Sequence, residues 1–235
     1  MSDMPTNTFT NGPLGTIYLR TAIPIIFVMG MNGLLAVADA LFLGHYVGPG
    51  ALAAVTLMFP IYMLIVALST LVSSGMSSIL RDAGAVFAGA HGLALFLGLV
   101  LILLFVAFGP AITLRAAGGS AELAQMGLVY LRITAFFSPL LFVLSVNSDA
   151  LRNEGHVGFM AAMSLLVSLA NIAFNYLLIA VFELGVAGSA YGTAAAQALA
   201  FGIIVTFRLR GNTSLRPSVL RLYPLTTAWG RMLAL

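Results

Sequence analysis

The sequence predicts an all-α, polytopic membrane protein of six transmembrane helices, and three observations carry that prediction. Of its 235 residues 61% are hydrophobic and only 7% charged, with a mean hydropathy of +1.08, which leaves too little polar surface to cover a water-soluble globule. Six apolar segments approach the roughly 20 residues that a bilayer requires: Arg20–Leu43, Ala51–Leu80, Val86–Phe108, Met126–Ser148, Gly158–Val181 and Val186–Phe207. They are too long and too continuously apolar for barrel strands, and lipid satisfies no backbone polar group, so each closes its own hydrogen bonds as a helix. The chain divides into an N-terminal tail (1–19), a transmembrane bundle (20–207) and a basic linker (208–235).

Arginine placement sets the orientation, since there is no lysine. With a cytoplasmic N-terminus, Arg20, Arg81, Arg152, Arg208, Arg210, Arg216, Arg221 and Arg231 face inside, against only Arg115 and Arg132 outside. Both termini are then cytoplasmic, in a multi-pass protein of the plasma (inner) membrane. The basic tail is suited to anionic lipid headgroups; it is short and carries no interleaved stacking aromatics, which argues against nucleic acid. Arg20, the apolar run after it and Ala36-Val37-Ala38 resemble a signal peptide with a cleavage site. However, the preceding nineteen residues carry no positive charge, and the run continues through Leu41-Phe42-Leu43, so the segment reads as an uncleaved span.

The connections read as tight turns at Gly44–Gly50 and Phe182–Gly185, and Gly109-Pro110 reads as the stop of the third helix. Pro24, Pro60 and Pro139 fall inside spans, where each removes one backbone bond and bends its helix. In the sixth helix Gly188, Gly192, Ala196 and Ala200 form a small-xxx-small row that admits a close neighbour. Ser189, Thr193 and Gln197 run alongside it, about 100° around the axis.

Function is sought among the polar groups that remain within the spans. Asp39 lies four residues from the end of the otherwise apolar Thr21–Leu43, where a carboxylate costs about 2.5–3.5 kcal/mol on insertion scales and so marks a use or a shielding partner. Asn32 lies two turns before it on the same face. Asn171 and Asn175, four apart, share a face of the fifth helix, and Asn147 adds an amide near the end of the fourth. Such groups serve either as interhelical glue, at about 0.6 kcal/mol per bond, or as the lining of a shared polar cavity. Other chemistry finds little support. Glu154 and His156 lack a third metal ligand, His45 and His91 read as interfacial, Arg132 as snorkelling, and Asp149 with Arg152 as an inner-end pair or as solvated. VSSGMSS lacks the context of an intramembrane serine protease, no GxGD motif accompanies an aspartate, and zero cysteines rule out thiolate chemistry. The expectation is a protein that is not an enzyme.

Several segments taken together resemble the N-terminal half of multidrug and toxic compound extrusion (MATE) transporters, in the branch whose proton-coupling acid lies in the first helix. They are PIIFVMGMNGLLAVAD, which places Pro24 fifteen residues before Asp39, then LFLGHYVGPGALAAVTLMFP, NSDALRNEG, NIAFNYLLI and GVAGSAYGT, spanning Tyr18 to Thr206 in the family's order. The resemblance implies one six-helix lobe of an antiporter that exports cationic or amphipathic compounds in exchange for H+ or Na+, with no cofactor beyond that ion. It implies that Asp39 is the ion-coupling carboxylate, that Pro24 bends the first helix, and that Asn32, Asn147, Asn171, Asn175 and Thr193 surround the cavity, with Gln197 one turn further. Where the family usually has an aspartate in the fifth helix this chain has Asn175, which cannot titrate, so Asp39 would act alone. The connection after Ser78 is shorter than in the family. The ending LTTAWGRMLAL resembles the approach to a seventh helix, which implies a missing C-terminal lobe or a homodimer partner. Two alternatives stand beside the antiporter: a flippase for lipid-linked saccharides, which a more cationic cavity would favour, and a non-transporting fragment.

Overall fold

The computed structural model describes residues 14–79, 83–211 and 213–233. Six long helices, α1 (Leu14–Phe42), α2 (Pro49–Ser77), α3 (Ala83–Ala116), α4 (Ala121–Asn153), α5 (Val157–Asn175) and α6 (Gly185–Leu209), are followed by two short ones, α7 (Val219–Leu222) and α8 (Trp229–Leu233). No strand occurs among the described residues. Helices α2, α3, α4, α6 and the run Val157–Val181 are long and apolar enough to cross a membrane. The remaining long helix, α1, has 29 residues, which rise about 43 Å. Large apolar side chains left exposed along the helices, among them Leu34, Leu41, Leu64, Leu103 and Val106, form the outer surface; in water such a surface would aggregate, and in lipid it is the required one.

Helix ends follow local chemistry more than hydropathy. Pro49 opens α2 at its first turn after Gly48 at φ 117°, where a missing N–H costs nothing. The third helix does not stop at Gly109-Pro110; it runs on to Ala116. One proline inside a membrane helix forfeits a single backbone bond, and the turn that does end α3 has Gly118 and Gly119 at φ 61° and 87°, with Gly119 N–H donating to the Leu114 carbonyl. Ser120 then caps α4 by accepting from Leu123 N–H at 3.4 Å. Both α1 and α5 pass into a wide π-helical turn, at Leu43–Val47 and Tyr176–Val181. Such turns are rare and concentrate at functional sites.

Helix α4 is central, packing on α2, α3 and α6, while α1 packs on α5 and α5 on α6. Close approach is bought by small residues: a Cβ on Gly98 would meet Pro139 at 2.8 Å, and one on Gly127 would meet Met58 at 2.8 Å. The main apolar core lies between α2, α3 and α4 and includes Val72, Phe87, Leu93, Phe142 and Val146. The segment after α6 folds back onto this core instead of leaving it. Met232 is buried, Trp229 Nε1 donates to the Gly89 carbonyl at 2.9 Å, and the backbone of Leu225 and Thr227 occupies the places where side chains on Gly92 and Gly89 would stand.

Candidate functional site

Asp39 is placed three residues before the end of α1, and α1 lies along α5, so its carboxylate meets the last residue of α5. Asn175 Nδ2 donates to Asp39 Oδ1, and the same amide donates to Asn171 Oδ1 at 3.0 Å. Asn171 Nδ2 in turn donates to Thr193 Oγ1 on α6 at 2.9 Å. A single chain of hydrogen bonds thus joins α1, α5 and α6, and both asparagines are completely buried. The four-residue spacing on α5 makes this possible, because it stacks the two amides on one face.

Helix α6 is admitted to this junction by glycine. A Cβ on Gly192 would lie 2.1 Å from Asn175 Oδ1, and one on Gly188 would lie 2.9 Å from Ile179. Gly192 therefore lets α6 rest directly on the amide that holds Asp39. Next to Thr193 a small cavity of about 20 Å³ is lined by Tyr62, Tyr130, Thr134 and Gln197 among others. That is room on the scale of one water molecule, not of a drug. The two tyrosines escaped the sequence reading, since aromatic residues on apolar helices usually fill cores.

Among the expected site residues, Asp39, Asn171, Asn175 and Thr193 come together, and Gln197 lines the adjoining space. The side chains of Asn32 and Pro24 lie outside the described residues. Asn147 belongs elsewhere. It stands 26 residues along α4, about 39 Å of helix rise from the end nearest Asp39. There it donates from Nδ2 to His91 Nε2 at 2.9 Å and to the Val143 carbonyl at 2.9 Å. His91 is not interfacial: it is buried, and with Nε2 accepting, its Nδ1 carries the proton and donates to the Phe87 carbonyl at 2.8 Å.

The same end holds a second polar network that the sequence reading scattered into separate groups. Arg208, expected at the lipid headgroups, is 1% exposed. Its guanidinium pairs with Glu154 Oε2 at 3.0 Å, donates to the Leu215 and Asn147 carbonyls at 2.7 and 3.2 Å, and lies 5.0 Å from the centre of the Phe87 ring. Glu154 Oε1 accepts from Ser214 Oγ and from Leu215 N–H, both at 2.7 Å. A signal was available, because Arg208 continues the four-residue row Gly188, Gly192, Ala196, Ala200, Ile204, all buried. Asp149 and Arg152 form an ion pair at 2.5 Å in which Arg152 is exposed and Asp149 half-buried.

The structure is thus an apolar six-helix bundle in which a carboxylate on α1, two buried amides on α5 and a hydroxyl on α6 form one hydrogen-bonded chain. The MatE family model matches residues 24–177. The chain belongs to the MatE family. Among solved structures it is similar to a MOP superfamily transporter from Pyrococcus furiosus Vc1 (DSM3638), at 26% identity and a TM-score of 0.78, over 84% of this chain and 46% of that one. It is similar to MATE in the bent conformation, at 26% identity and a TM-score of 0.76, over 84% and 46% of the two chains. It also resembles an outward-facing multidrug resistance MATE family transporter of the MOP superfamily, at 26% identity and a TM-score of 0.74, over 86% and 49%. The chain spans about half the length of these structures. No curated protein matches it.

Proposed function

We propose that this chain forms the N-terminal lobe of a secondary antiporter in the plasma (inner) membrane, exporting cationic or amphipathic compounds in exchange for H+ or Na+. Both termini are taken as cytoplasmic, and a second six-helix lobe or a second copy of the chain completes the transport path. The observation that carries the proposal is the bond from Asn175 to Asp39 at the α1–α5–α6 junction.

The chemistry runs through one amide. An ionised Asp39 only accepts hydrogen bonds and so draws the Nδ2 of Asn175; a protonated Asp39 gains an O–H that must donate. Asn175 answers that change by presenting its Oδ1, the atom now packed against Gly192 with no hydrogen-bond partner. Turning the amide disturbs the α5–α6 contact, so proton uptake and helix packing change together. A sodium ion would act on the same oxygen atoms. Repacking within one lobe moves substrate only when it rocks against another rigid body, hence the second lobe.

Asp39→Asn tests the assignment. Efflux driven by an ion gradient should be lost in the assembled transporter while membrane insertion is unchanged or improved, because the buried charge is gone. On the chain alone, pH-difference infrared spectra should show a carboxyl band that vanishes in Asp39→Asn. Unaltered efflux, or a carboxyl band that persists in the variant, refutes the role given to Asp39.

A further inference from the structure

The α5–α6 surface carries a groove of about 580 Å³, bounded by Phe159, Leu199, Gly202, Ile203 and Phe207, with Arg210 at one end. This lies within the roughly 300–1,000 Å³ of small-ligand clefts. Its length is informative: from Leu199 to Arg210 the helix rises about 17 Å, close to the ~15 Å of hydrocarbon in a single leaflet. The floor is open at Gly202, where an added Cβ would meet nothing within 4 Å. Phe159 and Phe207 stack at 4.2 Å to make one wall.

The end of the groove is cationic. Arg210 is exposed where α6 stops. Gly211, at φ 80°, turns the chain back so that Arg216 Nη2 comes to 3.2 Å from the place of a Cβ on Gly211. Arg210 thus lines one end of the groove, and the Arg216 guanidinium lies beside Gly211, the next residue along. Neither forms an ion pair among the described residues, since Glu154 is held by Arg208 and Asp149 by Arg152. We propose that this groove binds one anionic phospholipid, its phosphate at Arg210 and Arg216 and an acyl chain along Leu199, Gly202 and Ile203. A basic pocket between transmembrane helices is the general form of an anionic-headgroup site, and a groove about one leaflet long matches the extended shape of an acyl chain.

The test reconstitutes the full chain in vesicles of equal phosphatidylglycerol and phosphatidylcholine, extracts it in mild detergent and measures retained lipid by native mass spectrometry. Phosphatidylglycerol should be retained preferentially, and Arg210→Gln or Arg216→Gln should each lower that preference roughly five-fold. Gly202→Leu, which fills open space, should displace the lipid without touching a charge, whereas Arg152→Gln, at the same end but outside the groove, should change nothing. Inorganic phosphate added in detergent separates a headgroup-only site from a lipid site: it should fail to displace the bound phosphatidylglycerol. The proposal is overturned if the arginine variants or Gly202→Leu retain phosphatidylglycerol as the parent does, if Arg152→Gln loses as much, or if phosphate alone displaces it.

Discussion

Gly192→Ala is the sharpest test of the geometry around Asp39. The added methyl would stand 2.1 Å from Asn175 Oδ1, 3.2 Å from its Cγ and 3.3 Å from its backbone nitrogen, so the amide must swing away or α6 must lift. Overpacking of this kind costs typically 1–3 kcal/mol. Losing the amide's bonds to Asp39 and Asn171 adds about 0.6 kcal/mol each on membrane-protein scales, while replacing a helical glycine by alanine returns ~0.5–1 kcal/mol. The balance is a destabilisation of about 2 kcal/mol. Gly202→Ala is the matched control, because nothing lies within 4 Å of its new methyl; it should be neutral or stabilising by up to about 1 kcal/mol. Equilibrium unfolding in mixed micelles with increasing denaturing detergent measures both. Asn175→Ala removes the clash, so the double variant should be more stable than the sum of the two single changes by at least ~1 kcal/mol. If Gly192→Ala unfolds like Gly202→Ala, the contact between α6 and the Asp39 amide is wrong.

Three further outcomes are expected. Arg208→Ala should destabilise the bundle by about 3–5 kcal/mol, since it strands the buried Glu154 carboxylate, and should expose 213–233 to limited proteolysis; Arg208→Leu with Glu154→Leu should recover much of the loss. Asn175→Asp places a second acid beside Asp39 and should shift the pH dependence of transport in the assembled protein, read as efflux rate against pH; an unchanged profile would mean that position 175 does not communicate with the coupling ion. Tyr46→Cys, in the exposed turn between α1 and α2, should react with an impermeant thiol reagent applied from outside, and labelling only after lysis would reverse the assigned orientation.

The six long helices were legible because hydropathy measures what a bilayer demands of a segment. Their ends were not. The apolar window stops where the hydrocarbon would, yet α4 continues from Ala121 to Asn153, because helix propensity and the Ser120 cap persist in the interfacial region. Gly109-Pro110 carries a break signal, but one proline forfeits only a single backbone bond in a membrane helix, and α3 runs on past it to Ala116. In the same way, Asp39, Asn171, Asn175 and Thr193 were legible as costly polar groups that need partners. Asn147 obeys that rule too, but its amide is satisfied by His91 and the Val143 carbonyl. Composition reveals that a buried amide must be satisfied; it does not reveal at which end of a long helix its partner waits.

The row on α6 shows how a correct pattern yields an incomplete picture. Read as a stripe, Gly188, Gly192, Ala196 and Ala200 suggest one seam for one neighbour. A four-residue step, however, advances about 40° around a helix of 3.6 residues per turn, so from Gly192 to Arg208, four steps on, the row winds about 160°. Both ends are buried, but they cannot face the same helix. Gly192 presses on Asn175 of α5, whereas Arg208 reaches Asn147 and Glu154 at the far end of α4. The repeat is thus a spiral that passes α6 from one partner to another over about 24 Å of rise. At one end the seam is closed by a glycine against an amide whose hydrogen bonds depend on the state of Asp39; at the other it is closed by an arginine locked into a carboxylate. If protonation of Asp39 turns the Asn175 amide as proposed, any rotation of α6 begun at Gly192 would have to strain the Arg208–Glu154 pair at the far end.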